Sequence, residues 1–370
     1  MSAAVSRFDS KAKSRALIAP VNYSGQATSW ARALEREYAT VSATSMAVEV
    51  PGGFSYPADL VVPVATYHND KSWQRAQSSA VREQASHVLV EAEEPPFGRL
   101  LARSVEAQVE VLLRSGVVVG FMGHGTDVRV PSRHRESTRW SPYWDEGVYA
   151  PRLETLARRN IDLIERSGLA SFVSTPDLLS DLPNATWCPV VVEPEKWNRT
   201  RPNSTLSSPR LSVVHAPSNP VLKGTALIAP AVEVLRQRNV IDFTRVSGIP
   251  ASRMPDAYAS ADVMLDQFRI GSYGVAACEA MASGCVVVGH ILPSVRETVL
   301  RVTGLELPIV EATPDTLGST LAALARDPAR RASIAEAGQD FVRTAHDGRL
   351  SAQVLREKWL NEPDQDRSGF

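Results

Sequence analysis

Cysteine is scarce. The three present in 370 residues, Cys188, Cys278 and Cys285, are too few and too irregularly spaced for a disulfide framework or a zinc site. They read as reduced core thiols of a cytoplasmic protein. Long apolar runs are missing too. Nothing approaches the roughly twenty consecutive apolar residues of a membrane span, and residues 1–13 carry no apolar signal core. Charge of one sign is also lacking: 40 Lys and Arg stand against 41 Asp and Glu, a net charge of −1. No bulk attraction to nucleic acid is encoded, which excludes it as an obligatory partner, while a peripheral contact with the inner face of a membrane stays open. No repeat of 20 to 50 residues is visible. No Asp-x-Asp cluster lies between apolar strands, so no metal and no cofactor are expected.

What is present is an alternation of short apolar runs and amphipathic helical periods. The length exceeds one typical core and predicts two domains. A disordered lead covers 1–13, and the first domain 14–197. Its strand-like runs lie at 16–21, 41–50, 60–67, 86–91, 117–122, 171–174 and 186–192, and its helical periods at 28–37, 100–114 and 147–167. A segment at 198–209, rich in Ser, Thr, Pro and Arg, reads as the linker. The second domain covers 210–350, with strands at 212–215 and 241–246 and helices at 254–259, 313–325 and 329–344. A terminal helix opens the 351–370 segment.

Loops after buried strands of a parallel sheet carry sites. After the first strand, the 22–27 loop holds Gly25, one glycine being equally compatible with a structural turn. The 117–122 strand delivers Gly123, His124, Gly125 and Asp127, where Asp127 is near enough to orient His124. An Asx-type turn with an incidental histidine is the plainer alternative. Arg129, Arg133, His134, Arg135 and Arg139 follow, interleaved with Trp140, Tyr143 and Trp144. They show no helical or strand period and read as a cleft-side loop. It is either a solvated charge run or a region for an anionic or carbohydrate ligand, because Arg grips phosphate bidentately and aromatic faces stack on sugars. In the second domain, Asn219, Lys223 and Gly224 open a helix after a buried strand. A lysine there favours a pyrophosphate contact. Gly248 and Ile249 form the loop after the 241–246 strand.

The most informative stretch runs from 261 to 290. Val263, Met264 and Leu265 form an apolar run, Gly271 and Gly274 bracket Ser272 and Tyr273, a small-residue helix covers 276–282, and Gly284 suits its end before a strand at 285–288. Strand, helix and parallel strand make a right-handed crossover. The glycines allow close backbone approach, and the free N–H groups of the helix start suit a phosphate. Glu279, about a turn and a half into that helix, suits a ribose diol better than a phosphate.

This stretch, with Tyr273-Gly274 followed by Glu279-Ala-Met-Ala-Ser-Gly284 and an apolar strand, resembles the donor-nucleotide signature of family-four (group 1) retaining glycosyltransferases of the GT-B fold. Lys223-Gly224 resembles the second donor motif of that family. The resemblance implies an α/β architecture of two Rossmann-like domains facing a cleft, with the helix at 351–360 crossing back to the first. It implies sugar transfer from a nucleotide diphosphate to a hydroxyl acceptor with retention, in glycan, glycolipid or polysaccharide synthesis. The acceptor would be a carbohydrate or a lipid-linked molecule. Lys223 and the amides of Ser272, Tyr273 and Gly274 would hold the diphosphate, Glu279 the ribose, Gly248 and Ile249 the base, and His124 with Asp127 the sugar. Two departures stand out. The first carboxylate of the family's pair is Gly271 here, and its arginine is Ser218, for which Arg269 is the candidate substitute. Arg129 and Arg133 stand as anion or acceptor contacts. A non-catalytic sugar-nucleotide-binding protein and a GT-B-like sugar-nucleotide isomerase remain as alternatives.

Overall fold

The structure is a computed structural model that describes residues 4–52, 56–197, 210–249 and 251–360. Two parallel sheets organise it. The first contains β1 (Ser14–Ala19), β2 (Val41–Glu49), β3 (Leu60–Pro63), β4 (His87–Glu91), β5 (Val118–Gly123), β6 (Ala170–Val173) and β7 (Thr186–Trp187), in spatial order 3-2-1-4-5-6-7. The second contains β8 (Leu211–His215), β9 (Ile241–Arg245), β10 (Val263–Leu265), β11 (Val286–Gly289) and β12 (Val310–Glu311), in order 12-11-10-8-9. Strand order reverses between β1 and β4 in one sheet and between β8 and β10 in the other. Such switch points open a crevice at the carboxyl ends of the strands. The loops after β1, β4, β5, β8 and β10 therefore converge.

The central strands are buried on both faces, as parallel sheets covered by helices must be. Leu17, Ile18, Val88, Leu89, Phe121 and Met122 are at most 0% exposed in the first sheet, and Val263 and Leu265 in the second. Gly120 admits the indole of Trp359, since a Cβ there would lie 3.2 Å from its Cδ1. That indole belongs to the terminal segment. Helix Arg349–Leu355 and the turn Arg356–Leu360 return to the first sheet, where Leu355, Trp359 and Leu360 join Ile18, Trp30, Leu34 and Phe172 in one apolar cluster. Burying each large side chain of this kind contributes about 1.5–3 kcal/mol, which ties the end of the chain to its beginning.

Several expectations change in detail. Of the segment 1–13, read as a disordered lead, Ala4 and Ser6 are bound to the Lys71–Gln84 helix: Ser6 N–H donates to Gln77 Oε1 at 2.8 Å, and Trp73 Nε1 to the Ala4 carbonyl at 2.8 Å. That helix has no counterpart in the strand and helix periods above. Its cap is Asp70, whose carboxylate accepts from the N–H groups of Ser72 and Trp73. The 60–67 run stops being strand at Pro63 and becomes the Val64–Asn69 helix. The 100–114 helix begins only at Val105, capped by Ser104, because Leu101 and Ala102 adopt left-handed backbone. Helix Ala150–Ser167 likewise starts three residues later than its period suggests. In the basic aromatic stretch, Pro131 sets the first turn of a short helix, Pro131–Ser137. The 198–209 linker and residues 361–370 lie outside the described residues.

Candidate functional site

A cleft of about 760 Å³ lies between the two sheets. It is lined from the first by Asn22, Tyr23, His124, Asp127 and Arg129, and from the second by Ser218, Lys223 and residues 272–274. His124, Asp127, Arg129, Lys223, Ser272, Tyr273 and Gly274, separated by as many as 150 positions, thus meet at one surface. Gly25, Asn219, Gly248, Ile249, Gly271, Glu279, Arg133 and Arg269 do not line it.

On the first-domain side, backbone strain marks the loops. Asn22 and Ser24 have φ of 50° and 52°, and Ala92 and Glu93 53° and 50°, conformations that surrounding contacts must sustain. Gly25, at φ 74°, ends the first loop beside the Tyr56 ring. Asp127 turns back on its own loop. Its carboxylate accepts from the N–H of His124 at 2.8 Å and of Gly125 at 2.5 Å, the Asx-type arrangement. It therefore holds the backbone of His124, whereas the ring is held by Glu91, whose Oε1 lies 3.1 Å from Nε2. The ring stacks on Trp30 at 5.8 Å and meets the edge of Tyr23 at 5.3 Å. Glu91 is the residue that sequence reasoning missed. It appeared only as the last position of an apolar strand. Its neighbour Glu93 is buried, and burial followed by the charge of Asp127 raises its pKa well above the usual carboxylate range.

The basic stretch is mostly spoken for. Arg129 is buried and gives Nε and Nη2 to Asp177 Oδ2 at 3.0 and 2.6 Å. Arg133 is exposed and reaches Asp181 at 3.4 Å. His134 donates Nε2–H to the Ile270 carbonyl at 3.0 Å and accepts from Ser141 Oγ at Nδ1. Burial, reinforced by Arg129, pushes its pKa down to about 4, so the ring is neutral near pH 7.

In the second domain, His215 braces the switch point, its Nδ1 on the Leu265 carbonyl and its Nε2 on Thr225 Oγ1, both at 2.8 Å. Asn219 caps the short Pro220–Lys223 turn, accepting from the N–H of Val221 and Leu222. Lys223 forms an ion pair with Asp266, which is 2% exposed. Arg269, the substitute considered for the missing arginine, is directed elsewhere. Its Nη1 pairs with Asp145 at 3.0 Å, its Nη2 reaches the Ser141 carbonyl at 3.0 Å and its Nε the Trp140 carbonyl at 3.1 Å. It bridges the domains and does not enter the cleft.

Gly274 precedes the Val275–Ala282 helix, so the first N–H groups of that helix start at the cleft wall. The Tyr273 side chain is buried, its hydroxyl 3.1 Å from His346 Nε2, so only its backbone faces the cleft. Gly271 sits where a larger side chain has no room. Its φ is 74°, and a Cβ would lie 2.5 Å from Leu292 Cγ. Glu279 lies within that helix and does not line the cleft. Burial pushes its pKa up to about 8, opposed by the charge of Lys223. Gly248 and Ile249 stand in an exposed loop after β9, Gly248 with a φ of 70°. Among the described residues, no group of three or more His, Cys, Asp or Glu could hold a metal ion, and no helix is long and apolar enough to cross a membrane.

No family model matches the chain, and no curated protein does. Solved structures do match. A sucrose-phosphate synthase from Thermosynechococcus elongatus has a TM-score of 0.59 at 12% identity, over 92% of this chain and 97% of its own. Anabaena HepE, in complex with UDP and glucose, has a TM-score of 0.56 at 12% identity, over 94% and 99%. WaaG, a glycosyltransferase involved in lipopolysaccharide biosynthesis, has a TM-score of 0.54 at 13% identity, over 93% and 99%. Likeness at this level of identity concerns the backbone and not the chemistry. The chain has the GT-B fold, two Rossmann-like α/β domains facing a cleft.

Proposed function

We propose that the protein is a glycosyltransferase that moves a sugar from a nucleotide diphosphate to a hydroxyl acceptor with retention of configuration. The observation that carries this reading is the cleft itself. It sets the start of the Val275–Ala282 helix and Lys223 opposite the His124 loop, at the switch points of both sheets. A diphosphate is received by Lys223 and the N–H groups of residues 272–274, where helix-start dipoles and a cation stabilise charge on the leaving group. Glu279 holds the ribose. Near neutral pH its carboxyl is largely protonated in the empty site, so it can donate to one ribose hydroxyl as well as accept from another. His124 positions the sugar. The bond from the anomeric carbon to the phosphate oxygen breaks, the acceptor oxygen bonds to that carbon from the same face, and its proton passes to the departing diphosphate. The acceptor, a carbohydrate or lipid-linked molecule, enters beside Tyr23 and Tyr56. The backbone match to HepE, solved with UDP and glucose, supports a nucleotide sugar as the donor.

A second reading has its own observation. With Ser218 in place of an arginine, Lys223 paired to Asp266 and Arg269 turned to Asp145, the diphosphate site is short of free positive charge among the described residues. That favours a sugar-nucleotide-binding protein without turnover. Incubation with a panel of nucleotide sugars and simple glycosides, followed by chromatography for free nucleoside diphosphate and NMR of the product anomer, separates the two. Release with retention supports transfer. Tight binding without release supports the binder, and an inverted product sinks the retaining mechanism.

A further inference from the structure

Glu91 closes β4 with its side chain fully buried. One oxygen, Oε2, accepts from the backbone N–H of Val21 at 3.1 Å and of Asn22 at 3.0 Å. The other, Oε1, lies 3.1 Å from His124 Nε2. A single carboxylate therefore ties the loop after β1 to the loop after β5, across the strand at which the sheet order reverses. The first of these loops contains the left-handed Asn22 and Ser24, whose conformation needs an external anchor. As a carboxylate, Glu91 offers acceptors only, so the ring nitrogen that faces Oε1 carries the hydrogen. Trp30 and Tyr23 enclose the imidazole, which fixes its plane.

We infer that Glu91 is a positioning residue of the cleft: it holds His124 as the Nε2–H tautomer, leaves Nδ1 as the ring's acceptor for a substrate hydroxyl, and clamps the 21–25 loop in the same act. The inference about the sugar hydroxyl rests on the transferase reading above, while the tautomer does not. Asp127 does not do this work: its oxygens meet the backbone N–H groups of His124 and Gly125, and the ring nitrogen Nε2 is met by Glu91 instead. The same arrangement explains why a lone histidine between two glycines needs no partner within its own loop.

The amide substitution Glu91→Gln discriminates sharply. Its single oxygen must take the N–H groups of Val21 and Asn22, because an amide NH2 there would face two donors. The NH2 then points at His124 Nε2, which must become an acceptor, and the ring hydrogen moves to Nδ1. Nitrogen-15 NMR of histidine-labelled protein reads this directly, with His124 among seven histidines assigned by the signals lost in His124→Asn. The expected result is Nε2–H in the wild type and Nδ1–H in Glu91→Gln. Nucleoside-diphosphate affinity should stay within about twofold, and turnover should fall roughly 10- to 100-fold, as for a misplaced group. Nδ1–H in the wild type overturns the inference, and this needs no variant to fold. An unchanged tautomer in Glu91→Gln, or a flipped tautomer with undiminished turnover, overturns it as well. If the tautomer flips as expected but the wild type transfers no sugar from any donor, the transferase reading fails and takes the hydroxyl contact with it.

Discussion

Replacing Gly271 with alanine tests whether the missing carboxylate is a built-in feature of the cleft. Two separate costs apply. At φ 74° a Cβ meets the following carbonyl, which costs about 1–2 kcal/mol. The same Cβ would lie 2.5 Å from Leu292 Cγ and 3.1 Å from its Cδ1. Relieving that overlap in a close-packed wall costs about 1–3 kcal/mol more. The sum is about 2–5 kcal/mol, which for a domain of this size lowers Tm by roughly 5–20 °C. Thermal unfolding of Gly271→Ala, Leu292→Ala and the double variant closes a double-mutant cycle. In the Leu292→Ala background only the dihedral cost should remain, about 1–2 kcal/mol. Gly271→Glu should be destabilised at least as much as Gly271→Ala and should gain no turnover. If Gly271→Ala is within about 0.5 kcal/mol of the wild type, or costs the same in both backgrounds, the steric account is wrong.

Three further outcomes follow from the same geometry. Lys223→Ala leaves Asp266 buried and unpaired, so it should cost about 3–5 kcal/mol in stability; adding Asp266→Asn should restore most of that while affinity for a nucleoside diphosphate stays about tenfold weaker, as losing a charge-assisted contact requires. Full recovery of affinity in the double variant would remove Lys223 from the site. Glu279, with its folded pKa raised to about 8, binds a proton between its unfolded pKa and pH 8, so its contribution to stability is present at acid pH and falls as pH rises through that window. The Tm advantage of Glu279→Gln over the wild type should therefore grow from pH 5 to pH 9, and a constant difference would contradict the shift. Arg269→Ala removes hydrogen bonds to Ser141, Trp140 and Asp145 across the domains, so small-angle scattering should show a larger radius of gyration without ligand. An unchanged radius would mean that other contacts, such as His134 to Ile270, suffice.

Much of the architecture was legible because parallel strands buried on both faces write themselves as short apolar runs. The Val275–Ala282 helix was legible because a run of small residues lies between Gly274 and Gly284. The Lys71–Gln84 helix was not, since its polar faces, with Gln74 and Gln77 buried, dilute the apolar period. The Pro131–Ser137 helix is under two turns long, too short for any period to show. Which charges are free is a tertiary property. Arg129 finds Asp177 48 residues away, and Arg269 finds Asp145 at 124, so neither pairing leaves a local trace. Glu91 shows the same limit: in sequence it is a strand residue, and only the sheet order makes it a hinge pin between two loops.

The central claim is that this cleft receives a nucleoside diphosphate. It is tested most directly by a thermal-shift titration of the full chain with uridine, guanosine, adenosine and thymidine diphosphates. Binding to the folded state alone stabilises it by about 2.7 kcal/mol at a hundredfold excess over Kd. The account predicts a saturable rise in Tm of several degrees with at least one of them, diminished in the Lys223→Ala/Asp266→Asn variant. No shift with any of the four up to millimolar concentration, or an equal shift in that variant, would contradict it.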